Sequence, residues 1–344
     1  MPTGSRDAGV LLDWLLDSMG LVRRSAMDEA GALHRIMREA FLPEPLRGWK
    51  SRELGDQTGL SNTGIHHQMV KLRECGIVTA KVDGKWHRYI LRGGSITAAT
   101  SLVETQAVAV LGLRLSELSE MIEPSETRMT IEAEDGEESF SLRIAEPGPS
   151  EEGGSRVTAL ARDLGLAGDS RRAGDTLARD LLSELCSTHH PITLLALSER
   201  LSESRGRVST VVDRMRLAGL VERAPMVDRI PQDVFAGIVR QFDARGEHWL
   251  MTRGGLGRLD ADVSKALVAG ASKGSLDIGR VTAILEPVRI EDQRVLLNTL
   301  GGRMPYGFRV AGADGASVST RIMRRAERTL RRLKTVAKRL EEAL

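Results

Sequence analysis

Asn62, Thr63, His66, His67 and Lys71 follow Ser61 at spacings that place them along one side of a helix. Amide, hydroxyl, imidazole and ammonium groups in one row can hydrogen-bond to a polar partner, base edges among them. A second set, Lys81, Lys85, His87 and Arg88, surrounds the turn signal Val82-Asp83-Gly84-Lys85 and concentrates positive charge there. A third set, Arg205, Arg207, Thr210 and Arg214, follows Ser204 in the same manner as the first follows Ser61. Chemistry of other classes is weakly represented. The chain has no phosphate loop, no nucleophile elbow, no zincin pattern and no paired Cys-x2-Cys motif, so an enzyme is not expected. Cys186, His189 and His190 form a compact Cys-x2-His-His set whose thiolate and imidazoles suit zinc or copper. Cys186, however, ends an apolar helical run, where a buried thiol is the simpler role. No metal or cofactor is therefore assigned.

The elements that must carry these groups repeat at a constant offset of 143 residues. Leu54 matches Leu197, Ile65 matches Val208, Leu72 matches Met215, Gly76 matches Gly219 and Val78 matches Val221. Each copy reads as a helix-turn-helix. In the first, 27–42 has helical apolar spacing and stops at Pro43 and Pro45. Ser51 is expected to cap a helix through Thr58, Gly59 permits the turn, and Ser61 caps a helix to about Glu74, closed by Gly76. Ile65, Met69 and Leu72 point inward. Strands follow at Ile77 to Lys81 and Trp86 to Leu91. The pattern Leu-x5-Leu-Ser-x3-Ile, the ending Gly76-Ile77-Val78 and the run Gly84-Lys85-Trp86-His87-Arg88-Tyr89 closely resemble ArsR-type regulators over roughly residues 27–122. The resemblance implies a winged helix. Ser61, Asn62, Thr63, His66, His67 and Lys71 would meet the major groove, and Lys81, Lys85, His87 and Arg88 the phosphates. The family often has Arg where this chain has His67, which makes that contact weaker and dependent on pH. It also implies that the amphipathic helix Thr97 to Ile122 builds a dimer interface.

The second copy, about residues 176–258, resembles the MarR-type recognition pattern. Val208, Val211, Val212 and Met215 point inward, and Ser204, Arg205, Arg207, Thr210 and Arg214 lie towards DNA. It departs from that pattern twice. Glu203 stands where Leu60 plugs the first copy. The wing is also lengthened, with a helical stretch from Pro231 to Phe242 and a return strand expected at Gly246 to Thr252.

At 344 residues the chain is long enough for two or three domains, and the low aromatic content of 3% leaves cores of Leu, Val, Ile, Met and Ala. Net charge is only +2, but it is unevenly spread. Residues 123–155 carry ten acids against Arg128 and Arg143, with a hairpin signal at Asp135-Gly136 and an exposed linker at 146–154. Residues 316–344 carry nine bases against three acids, with apolar residues at Met323, Ala326, Leu330, Leu333, Ala337, Leu340 and Leu344 in a coiled-coil seam. That seam pairs with a second copy, packs on the body, or turns its arginines to DNA. In 261–316, Val281 to Leu285 and Phe308 to Val310 read as strands, and Glu291 to Leu300 as a helix.

The expected fold is mainly α with small β-hairpin wings (α+β). Its units are a first winged helix-turn-helix domain (1–123), an acidic hairpin and linker (124–155), a second winged domain (156–260), a small mixed segment (261–316) and a basic helix (317–344). Two cysteines and the absence of any signal-like or membrane-spanning run make the cytoplasm the expected compartment. The expected function is a homodimeric, sequence-specific transcriptional regulator that binds double-stranded DNA with two winged helices per chain. The alternatives are a replication-initiation or chromosome-organising protein and a protein-interaction scaffold.

Overall fold

A computed structural model describes residues 4–22, 31–126, 140–148, 155–168 and 175–344. The chain is mainly helical, with two small antiparallel two-stranded sheets, and belongs to the α+β class. The expected hairpin around Asp135-Gly136 and the tail of the acidic linker lie outside the described residues.

The N-terminal half opens with α1 (Ala8–Ser18), capped by Asp7, and α2 (Ala32–Ile36), which continues as a π-turn to Phe41. Then come α3 (Ser51–Thr58) and α4 (Asn62–Glu74). The cap of α3 sits one residue before the expected Ser51: the Lys50 N–H donates to Glu53 at 3.2 Å. Gly59 takes φ +67° between the helices, and the Ser61 hydroxyl accepts the Gly64 N–H at 3.2 Å. The strands β1 (Val78–Asp83) and β2 (Trp86–Leu91) pair from Val78↔Leu91 to Asp83↔Trp86, leaving a two-residue turn at Gly84-Lys85. Helix α5 (Ile96–Met121) completes this half.

After an extended segment at 140–148, the second half contains α6 (Arg156–Asp163), α7 (Leu177–Ser187), α8 (Leu194–Arg200), α9 (Arg205–Leu217) and β3 (Val221–Pro225). Here the structure corrects the sequence reading. Residues 246–252 are not the return strand but the end of α10 (Ile230–Thr252), which breaks at Gly246. The partner of β3 is β4 (Tyr306–Val310), in register from Val221↔Val310 to Pro225↔Tyr306. Between them lie α10, α11 (Ala261–Ser272), α12 (Ile278–Leu285) and α13 (Ile290–Thr299). Val281 to Leu285 is thus helix rather than strand. Val281 and Leu285 are four residues apart and buried together, and Asp277 caps the turn by accepting the Arg280 N–H at 2.8 Å. The insertion has its own core, including Ile230, Val234, Leu267, Val281 and Leu297, and closes where the Met226 N–H meets the Pro305 carbonyl at 2.9 Å. The boundary expected at 260 falls inside it. The strand at 308–310 and the helix at 291–300 are found near their expected places.

The last helix, α14 (Gly315–Glu342), runs antiparallel to α5 and also contacts α1. A side chain at Gly315 would collide with the Ser119 backbone at one end. At the other, Glu341 accepts the Thr97 N–H at 3.0 Å. Ala326, Leu330, Leu333, Ala337 and Leu340 are buried, while Leu344 is 61% exposed. Burying each leucine is worth about 1.5–3 kcal/mol before entropy costs. Of the partners open to the apolar seam, a second copy or the body of the chain, the structure shows the body: α5 and α1. Among the described residues, α5 alone is long and apolar enough to cross a membrane. Its Val103, Ala107, Leu111 and Leu115 are buried in the main core, and Arg114 is buried against Asp163 at 2.7 Å.

Candidate nucleic-acid interface

On α4, Ile65, Met69 and Leu72 are buried, and this leaves Asn62, Thr63, His66 and His67 exposed on the other side. Ser61 is occupied as the helix cap, so its contribution is to hold the first turn rather than to offer a free hydroxyl. The adjoining hairpin projects Lys81, Lys85 and His87 into solvent. Arg88 differs from them. Its Nε donates to Asp83 at 2.7 Å and its Nη1 to the Gly48 carbonyl at 3.2 Å, so it braces the hairpin against the loop before α3. That contact holds the Asp83 carboxyl below the usual carboxylate range. Two side chains missed by the sequence reading lie at the same tip: Val82 is 76% exposed and Trp86 69% exposed. A large aromatic at a hairpin tip, with no apolar partner across the strand pair (Asp83↔Trp86), was the available signal.

The second copy is built differently. Val208, Val211, Val212 and Met215 are buried as expected, and the Ser204 hydroxyl accepts the Arg207 N–H at 3.4 Å. Its polar face is mostly engaged within the chain. Arg207 donates to Glu203 at 2.5 Å and to Asp175 at 2.9 Å, which explains how a glutamate is tolerated at the position of Leu60. Thr210 donates to the Gly206 carbonyl at 2.9 Å, and Arg214 to the Leu166 carbonyl at 2.9 Å. Arg205 remains exposed. The tip that a wing would offer is replaced by the helical insertion.

The two copies share one cleft. It has a volume of about 620 Å³, and its lining includes Gln68 and Lys71 from α4 and Thr210, Asp213 and Arg214 from α9. Lys71 and Arg214 are separated by the repeat offset, so equivalent faces of the copies look into the same space. Ser141, Leu142 and Arg143 of the extended segment also line it. The Ser141 N–H donates to the Leu217 carbonyl at 3.0 Å, and the Glu146 N–H donates to the Glu74 carbonyl at 3.2 Å. Leu217 and Glu74 are also equivalent positions, so one peptide strap ties the same carbonyl of each copy. Five residue steps reach at most about 17 Å, which fixes how far apart the C-terminal ends of α4 and α9 stand. Arg143 adds an ion pair to Glu74 at 2.6 Å.

The Cys186 set is not gathered. Cys186 is buried, whereas His189 and His190 are exposed, and His189 lies 3.3 Å from Glu123. Among the described residues no group of three or more metal-ligating side chains converges. Burial pushes the Cys75 thiol up to about 11, as befits a packing group. No protein-family model matches the chain, and no curated protein matches it.

Proposed function

We propose that the chain is a cytoplasmic, sequence-specific DNA-binding transcriptional regulator with two winged helix-turn-helix units, and that the first unit reads the DNA. One observation carries this reading. The exposed row Asn62, Thr63, His66 and His67 and the exposed tip Lys81, Lys85 and His87 stand free of structural duty, while Ser61, Arg88 and the buried face of α4 meet the demands of capping, bracing and packing. A helix N-terminus with polar side chains suits base edges, and a basic hairpin beside it suits the backbone. The second unit supplies Arg205 and positions the first through the strap. Its Arg207 and Arg214 support the fold in this reading, and its contribution to affinity is smaller. The protein binds double-stranded DNA as a homodimer through the α5 face that bears the exposed Leu102 and Leu113.

Selection of bound sequences from random duplex DNA tests the proposal. A short defined motif is expected, and Asn62→Ala with His67→Ala should degrade the motif more than the overall affinity. Binding without any motif, or a motif untouched by both substitutions, would overturn the role given to α4.

A further inference from the structure

Arg321, Arg324, Arg328, Arg331 and Lys338 recur along α14 at steps of three, four, three and seven residues. At 100° per residue they form one straight stripe about half a turn from the buried row Ala326, Leu330, Leu333 and Ala337. Arg321 is tied to Glu222 at 3.0 Å, but among the described residues no ion pair engages Arg324, Arg328 or Lys338. Between 321 and 338 the only acid is Glu327. The stripe is about 26 Å long, a length over which duplex DNA presents about 15 phosphate charges.

The stripe faces away from the strap. In the extended strap, Phe140, Leu142 and Ile144 line a small cavity together with Ala326, Leu330 and Leu333 of α14. Ser141 and Arg143 line the cleft shared by Lys71 and Arg214, and Leu142 lines both spaces. Successive side chains of an extended segment point to opposite sides. The buried row of α14 therefore faces the strap, and the cationic stripe, about half a turn away, faces away from it.

We propose that this stripe is a second binding surface for duplex DNA, contacting phosphates without regard to sequence, so that one molecule bridges two DNA segments. The inference rests on the proposed DNA binding by α4. Charge complementarity and the row of Arg324, Arg328, Arg331 and Lys338 on one helix favour a polyanionic rod as occupant over a small anion.

The test uses the full chain, a biotinylated duplex on beads and a dye-labelled second duplex. The native protein is expected to retain the labelled duplex. Arg324→Gln, Arg328→Gln and Arg331→Gln together should keep melting temperature and single-duplex binding within about twofold yet lower retention by about tenfold, since three phosphate contacts are lost. A native chain that binds one duplex but never bridges refutes the stripe and leaves the α4 reading intact. So does a triple variant that bridges as well as the native protein, because bridging would then come from two α4 helices in a dimer. Bridging that emerges only when Glu132, Glu134, Asp135, Glu137 and Glu138 are made neutral amides assigns the stripe to the chain's own acidic stretch, and also overturns the proposal. A native chain that binds no duplex at all overturns both readings.

Discussion

Under the proposed DNA binding, the hairpin between β1 and β2 offers a way to separate cations that would meet DNA from a cation that holds the protein together. Each phosphate contact contributes about 0.9 to the slope of log affinity against log salt. Over a fourfold rise in salt, from about 50 to about 200 mM, one contact is therefore worth about 3.5-fold and two contacts about twelvefold. Lys81 and Lys85 are exposed and count in full. Arg88 is held by Asp83 at 2.7 Å and by the Gly48 carbonyl, so moving it onto a phosphate breaks contacts it already has. Lys81→Ala with Lys85→Ala is expected to flatten the slope by about 1.8, whereas Arg88→Ala changes it by less than half the effect of Lys85→Ala alone. Asp83→Asn has the opposite sign. It removes an anion from the tip and frees Arg88, so binding should tighten and the slope should steepen towards one further contact. Fluorescence anisotropy titrations at three salt concentrations give the native slope and those of the four variants. The reasoning is refuted if Arg88→Ala flattens the slope as much as Lys85→Ala, or if Asp83→Asn weakens binding.

Three further outcomes concern the scaffold. Ser202 stands at the position of Gly59 in the repeat and adopts φ +53°, so Ser202→Gly should raise stability by about 1 kcal/mol in denaturant unfolding by removing left-handed strain. Asp163 is fully buried and accepts from Arg114 at 2.7 Å and from Arg162 at 2.9 Å; Asp163→Ala leaves Arg114 with Glu117 alone, at 2.7 Å, and should cost about 1–3 kcal/mol in the same measurement. Burial pushes the Glu341 carboxyl up, but hydrogen bonds from the Thr97 N–H and the Ser95 and Thr97 hydroxyls outweigh it and hold the group below the ordinary glutamate range. A carboxyl lower in the folded than in the unfolded chain stabilises above its unfolded value and loses that contribution as pH falls through the folded one. Thermal melts should therefore show native and Glu341→Gln proteins differing at pH 7 and converging in acid, and a difference that survives acid would refute the capping role.

Much of the local structure was legible in the residues themselves. Ser61 and Ser204 as caps, Gly59, Gly76 and Gly219 in left-handed turns, and the inward rows of α4 and α9 follow from helix periodicity and backbone sterics, which act over a few residues. The 143-residue repeat revealed that two such units exist. Strand pairing was not legible for β3, because its partner lies some eighty residues along the chain beyond the insertion, and 246–252 had equally good apolar spacing for a helix. Nor could the sequence choose a partner for the seam at 326–340, since a second copy and α5 offer the same apolar contact. Only packing decided that α14 lies on α5 and turns its arginines outward. The same holds for the cations. Arg88, Arg207 and Arg214 look in sequence like Lys85 and Arg205, but a guanidinium's role depends on whether a carboxylate or carbonyl from a distant segment reaches it first. Asp175, Leu166 and Gly48 are brought there only by the folded chain.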